Sequence, residues 1–216
     1  NADGGEVEAC GNAARCVAAL IMAETGTNQS TIDSPGGRLS ATASGDGQVT
    51  VDMGTPQLDW QDIPLSSEQD TLHLDLSAGG LVDGVGVNIG NPHVVFFVND
   101  VDTVDLERLG PVIETHALFP NRTNVEVVQV LDRGHVRMRV WERGVGITSA
   151  CGTGACAALV AAHRRGLAER RAEMMLDGGT LVVEWLTDDH MLLTGPVAIS
   201  FIGELGAEFD QSLLKS

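Results

Sequence analysis

Two stretches of this chain are apolar on every side of a helix, and each opens on a cysteine followed by glycine. The first, ACGNAARCVAALIMAETG, carries Ala13, Ala14, Val17, Ala18, Ala19, Leu20, Ile21 and Met22 ahead of Gly26. The second, ACGTGACAALVAAHRRG, runs from Thr153 through Leu159, Val160 and His163 to Gly166. A helix without a polar face must be covered by neighbouring elements, and a glycine just past its last turn supplies a left-handed stop. The pattern predicts helices over 12–25 and 153–166, each at the centre of its own core.

The rest of the chain supplies the cover. Segments 29–34, 37–43 and 48–53 alternate or are β-branched, with Pro-Gly-Gly and Gly-Asp-Gly turns between them. Further strands are expected at 71–76, 82–89, 93–98, 124–131, 135–142, 172–177, 180–186, 190–194 and 197–202. An amphipathic helix is expected over 104–117, and a linker over 55–70, where Pro56, Pro64 and Ser66-Ser67 break any periodicity. The order is helix, strands, linker, strands, helix, strands. It reads as a weak internal duplication of α+β class, with a mixed sheet wrapped around each central helix. The lobes are drawn as 1–54 with 197–216, and as 55–196.

Composition removes several function classes. A net charge of −17 repels nucleic acid and anionic membranes, so neither is an expected partner. No apolar run reaches the roughly 18 residues of a membrane span. Lysine occurs once, at Lys215 in the tail, which argues against a pyridoxal Schiff base. Cys10, Cys16, Cys151 and Cys156 fall as C-x5-C and C-x4-C, with the second of each pair inside an apolar helix. Zinc knuckles place their pairs in turns, so no metal and no cofactor are expected. A large, cysteine-poor chain fits a reducing cytoplasm better than a disulfide framework. The chain opens at Asn1, inside what reads as a motif, and so reads as a portion of a longer protein.

The first turn of a helix has unpaired N–H groups and the positive end of the dipole. Cys10 and Cys151 stand just before such turns, where a thiolate is stabilised. Gly11 and Gly152 keep the amides approachable, and Asn12 and Thr153 add side-chain donors. A free cysteine is ordinarily a small core residue, which is the reading for Cys16 and Cys156. The duplicated Cys-Gly step favours chemistry for Cys10 and Cys151. Two such mouths facing one another would hold one carboxylate, with a thiol on either side of its α-carbon. One thiolate then removes the α-proton and the opposite thiol returns one, inverting the centre. Mild oxidation of the empty site should link Cys10 to Cys151.

The segments NADGGEVEACGNAARCVA and WERGVGITSACGTGACAA resemble the two active-site motifs of the diaminopimelate epimerase family. GNPHVVFFV at 90–98 and FPNRTNVEVV at 119–128 resemble that family in the same order. The likeness covers nearly the whole chain, and it implies two pseudo-symmetric lobes, each a sheet around a central helix. By resemblance, Cys10 and Cys151 match the catalytic pair, and Gly11, Asn12, Gly152 and Thr153 match the carboxylate-binding mouths. Asn1, Asn91 and Asn124 match substrate-binding asparagines. Glu142 and Arg143 match the pair that handles the substrate, and Arg143 suits a two-point grip on a distal carboxylate. His93 and Glu142 match residues that set the protonation of the thiols.

The implied reaction interconverts LL- and meso-diaminopimelate, a small-molecule substrate, on the route to lysine and peptidoglycan precursors, with a homodimer left open. Gly5 and Ala13 depart from the family's serine and glycine. The family also carries a segment ahead of the Asn1 position, with an asparagine and a glutamine of the site. Two other readings stay open. Proline racemase and hydroxyproline epimerase share the two-lobe plan, but follow their first cysteine with Gly-His where this chain has Gly-Asn. The third is a non-catalytic homologue that binds a small carboxylate.

Overall fold

The computed structural model describes residues 11–34 and 37–203. Expectations for Asn1, Gly5, Cys10 and the tail from 204 lie outside the described residues. Helix α1 (Gly11–Thr25) leads into the antiparallel strands β1 (Gln29–Ser34), β2 (Gly37–Gly45) and β3 (Gln48–Asp52). Then come β4 (Leu74–Ala78), β5 (Leu81–Asn88), β6 (Pro92–Phe97), helix α2 (Leu106–Glu114), β7 (Asn124–Asp132), β8 (His135–Glu142) and β9 (Gly146–Thr148). Helix α3 (Gly152–Arg164) and strands β10 (Arg171–Leu176), β11 (Gly179–Trp185) and β12 (Met191–Pro196) complete the order.

Among the described residues the sheet path runs β1-β2-β3-β12-β11-β10-β8-β7-β6-β5-β4, with β9 on the flank of β8. The pairs β6–β7 and β8–β10 are parallel and the remaining pairs antiparallel, so the sheet is mixed and the class is α+β. Strand β12 joins the N-terminal strands to the rest, pairing with β3 from Leu192 opposite Asp52 to Pro196 opposite Gln48.

Three expectations differ from this architecture. Residues 197–203 form no strand, because β3 begins at Gln48 after the hairpin turn and leaves nothing to pair beyond one bond from Val197 N to Gly47 O. Helix α2 starts at Leu106, because the Asp105 side chain accepts from Arg108 N and caps it there. The two apolar helices do not have separate cores: Ala14, Ala18 and Met22 of α1 share one buried cluster with α3. The second cluster lies under α2, where Leu106, Leu109 and Ile113 meet Val94, Phe96, Val125 and Val127.

Strand alternation decides what faces α3. In β6 and β7, His93 is opposite Asn124 and Val95 opposite Glu126; in β8, Val140 is opposite Glu126 and Trp141 opposite Val125. Successive side chains point to opposite faces. His93, Asn124, Glu126, Val140 and Glu142 therefore share the α3 side, while Val94, Val125 and Trp141 take the α2 side.

Candidate active site

Helices α1 and α3 meet mouth to mouth. A Cβ on Gly11 would lie 3.5 Å from Gly152 Cα, and one on Gly152 would lie 3.3 Å from Gly11 Cα. Each would also strike Leu193 of β12, at 2.6 Å and 2.8 Å respectively. Glycine on both sides lets the two backbones approach each other over one leucine, which a Cβ on either side would force to shift. Asn12 Nδ2 ties the mouths together by donating to Ala150 O at 3.2 Å. Its Oδ1 accepts from Arg15, a buried residue that also donates to Gly11 O.

Cys151 caps α3. Its backbone is extended (φ −128°), and Sγ accepts from Gly154 N at 3.4 Å, with Thr153 Oγ1 at 3.5 Å. These contacts favour the thiolate, as the sequence reading expects, but they are outweighed. Burial pushes the thiol well above its ordinary pKa, and the charges of Glu142 and Glu126 push it further. Cys151 rests as the thiol, 5% exposed. Of the two cysteines expected in the core, Cys156 is fully buried but Cys16 is exposed. Among the described residues, helix α1 is likewise not covered on all sides, since Val17 and Leu20 face outward.

Of the other described residues expected in the site, His93 and Glu142 lie beside the α3 mouth, and Asn91, Asn124 and Arg143 adjoin them. His93 is fully buried; its Nδ1 lies 2.7 Å from Glu126 Oε1 and its Nε2 lies 2.9 Å from Asn91 Oδ1. Asn124 uses its amide as a brace, donating to Pro92 O at 2.9 Å and accepting from Arg143 N at 2.9 Å. Glu142 accepts from the Thr148 hydroxyl. Half-buried Arg143 donates to Asn121 O at 3.2 Å from the turn that follows β8. Glu114 steadies that turn from α2 by accepting from Gly144 N and from the Trp141 indole.

Glu126 is the residue the sequence reading missed. It is fully buried, burial raises its pKa, and His93 opposes that shift. The signal lay in NVEVV, where one acid two residues from Asn124 interrupts a strand of valines. Among the described residues, no group of three or more His, Cys, Asp and Glu side chains could hold a metal ion.

The family model described as "Diaminopimelate epimerase" matches residues 1–58 and 85–200. A diaminopimelate epimerase of Rhodospirillum centenum is 56% identical over 205 residues, 95% of this chain and 70% of the relative. One from Acidiphilium cryptum is 52% identical over 96% of this chain and 75% of its own length. Among solved structures, a hydroxyproline epimerase from Agrobacterium vitis with bound trans-4-hydroxy-L-proline aligns with a TM-score of 0.58 at 17% identity. That alignment covers 87% of this chain and 63% of the other. A PhzF-family phenazine biosynthesis protein from Bacillus anthracis aligns with a TM-score of 0.58 at 17% identity, over 89% and 74% of the two chains. These two likenesses concern the fold.

Proposed function

This chain belongs to the diaminopimelate epimerase family, and from that premise we propose that it inverts one α-carbon of diaminopimelate with a pair of thiols and no cofactor. The observation that carries this reading is the meeting of two helix mouths at Gly11 and Gly152, one of them capped by Cys151. Amides of both mouths take the carboxylate next to the reacting carbon. As the α-proton leaves, charge spreads into that carboxylate, where fixed N–H donors and two helix dipoles stabilise it.

Cys151, resting as the thiol, supplies the proton on one face. Cys10, which precedes Gly11 in the sequence, is the proposed base on the other, and the roles exchange in the reverse reaction. Glu142 and His93 set the protonation of the thiols, Asn1, Asn91 and Asn124 order the substrate, and Arg143 grips the distal carboxylate. In this reading the division at 54/55 and 196/197 separates two lobes, and the enzyme works in the cytoplasm on the route to lysine.

The test is incubation of the full-length protein with LL-diaminopimelate, without added cofactor, following the meso isomer by chiral separation. Cys151→Ala should lower turnover by about 10²–10⁴-fold or more, the usual weight of a general acid or base. Near-normal turnover in that variant contradicts the two-thiol reading.

A further inference from the structure

Glu126 is a buried acid for which the two-thiol chemistry has no use. A buried carboxylate is costly to keep charged, and this one lies within a crowded polar cluster. From β6 and the loop before it come His93 and Asn91; from β7 itself, Asn124; from β8, Glu142; from α3, Cys151 and Thr153. Glu126 Oε1 would stand 2.8 Å from a Cβ placed on Gly154, so any larger residue there in the first turn of α3 would displace the carboxyl. Its other oxygen, Oε2, is buried with no hydrogen-bond partner among the described residues.

Counting hydrogens gives the pair's state. With the Asn91 amide oriented so that Oδ1, which can only accept, faces the ring, His93 Nε2 carries a hydrogen and donates it. One further proton lies between Nδ1 and Glu126 Oε1, which are 2.7 Å apart. Drawn on the ring or on the carboxyl, that proton leaves the pair with zero net charge. Without it, a buried negative pair would stand beside Glu142 and Cys151. The ring could then reverse its polarity and accept from Asn91 Nδ2.

We propose that Glu126 is a positioning residue: by sharing a proton with His93 it keeps Nε2 as a donor to Asn91 Oδ1, which leaves Asn91 Nδ2 to donate to the substrate's carboxylate. The inference rests on the proposed contact of Asn91 with diaminopimelate. Burial, which raises the Glu126 pKa, favours the shared proton.

Three versions of the full-length protein test it: wild type, Glu126→Leu and Glu126→Gln. Leucine removes the proton, so KM should rise about tenfold, the loss expected of one hydrogen bond to a charged group. Glutamine supplies a non-titrating N–H to Nδ1. Its KM should match wild type at neutral pH and stay flat where the wild-type KM climbs on the alkaline side. A purely structural role would lower the melting temperature without changing that profile. 15N spectra of the ligand-free histidine ring should show Nε2 protonated in wild type and the glutamine variant, and mixed in the leucine variant. Wild-type KM in folded Glu126→Leu, or an unchanged alkaline rise in Glu126→Gln, overturns the proposal. Absence of epimerisation in wild type would instead overturn the function, and the ring spectra would still decide the state of the pair.

Discussion

Helices α1 and α3 share a sequence pattern and differ in fate. Every residue of α3 from Gly152 to Ala162 is buried, enclosed by strands from β5 to β8 and from β10 to β12. Helix α1 packs on β1, β2 and β3 and buries only Gly11, Ala14, Arg15, Ala18 and Met22. The cysteines record the contrast. Cys156 lies four residues after Gly152, just over one full turn, and stays on the buried face. Cys16 lies five residues after Gly11, about 100° further round, and emerges into solvent. The α1 position equivalent to Cys156 is Arg15, whose charge reaches Cys156 across the helix pair. Among the described residues, strands enclose α3 on every side and cover one face of α1.

Of the changes that bear on this contrast, the largest effect is expected where the two helices touch. Gly152→Ala pushes a methyl into Leu193 and against Gly11 Cα, at 2.8 Å and 3.3 Å. Overpacking of this kind costs about 1–3 kcal/mol. Spreading the mouths by a fraction of an ångström should also lower turnover, by up to about 10²-fold. Leu193→Val in the same chain should recover part of both losses, measured by thermal unfolding and by meso-isomer formation. No loss in Gly152→Ala would mean that the close approach is not needed.

Next comes the contrast between the cysteines. Cys156→Ala removes a packed sulfur and should cost about 1–2 kcal/mol in urea unfolding. Burial holds the Cys156 thiol up to about 12, above its ordinary 9.0. The unfolded chain therefore loses this proton first. The thiol's contribution to stability is intact below pH 9 and falls as pH rises toward 12, by about 1.4 kcal/mol per unit. Cys156→Ala should make that alkaline decline shallower. The smallest effect is Cys16→Ala, expected within about 0.5 kcal/mol and with the decline unchanged. A thiol reagent applied to the native protein should modify Cys16 well before Cys156. The reverse order of labelling would remove the contrast between the helices.

Much of this was legible in the sequence. The apolar stretches, their Cys-Gly openings and most of the strands follow from local pattern, because periodicity and turn chemistry are local properties. The family motifs pointed to His93, Asn91, Asn124, Glu142 and Arg143, which the structure gathers near the α3 mouth. What could not be read depended on partners far away in the chain. Cys16 looked like core because local pattern does not tell which face of α1 the described strands β1, β2 and β3 cover. Residues 197–202 looked like a strand because the start of β3, which withholds a partner, lies about 150 positions earlier. The raised pKa of Cys151 comes first from its burial under the sheet and then from Glu142 and Glu126, brought together only by the register of β7 and β8. The Gly11–Gly152 contact gives the paired glycines a packing reason that spacing alone could not supply.

The central claim is that the two helix mouths serve opposite faces of one carbon, and early-time isotope incorporation tests it most directly. Full-length protein is given LL-diaminopimelate in heavy water, and both isomers are recovered after a few per cent of conversion. Two opposed thiols predict meso product with one solvent deuterium at the inverted carbon, while the remaining LL isomer stays almost free of label. A single base working on both faces would carry the original hydrogen into the product, or label both isomers alike, and either result would contradict the account.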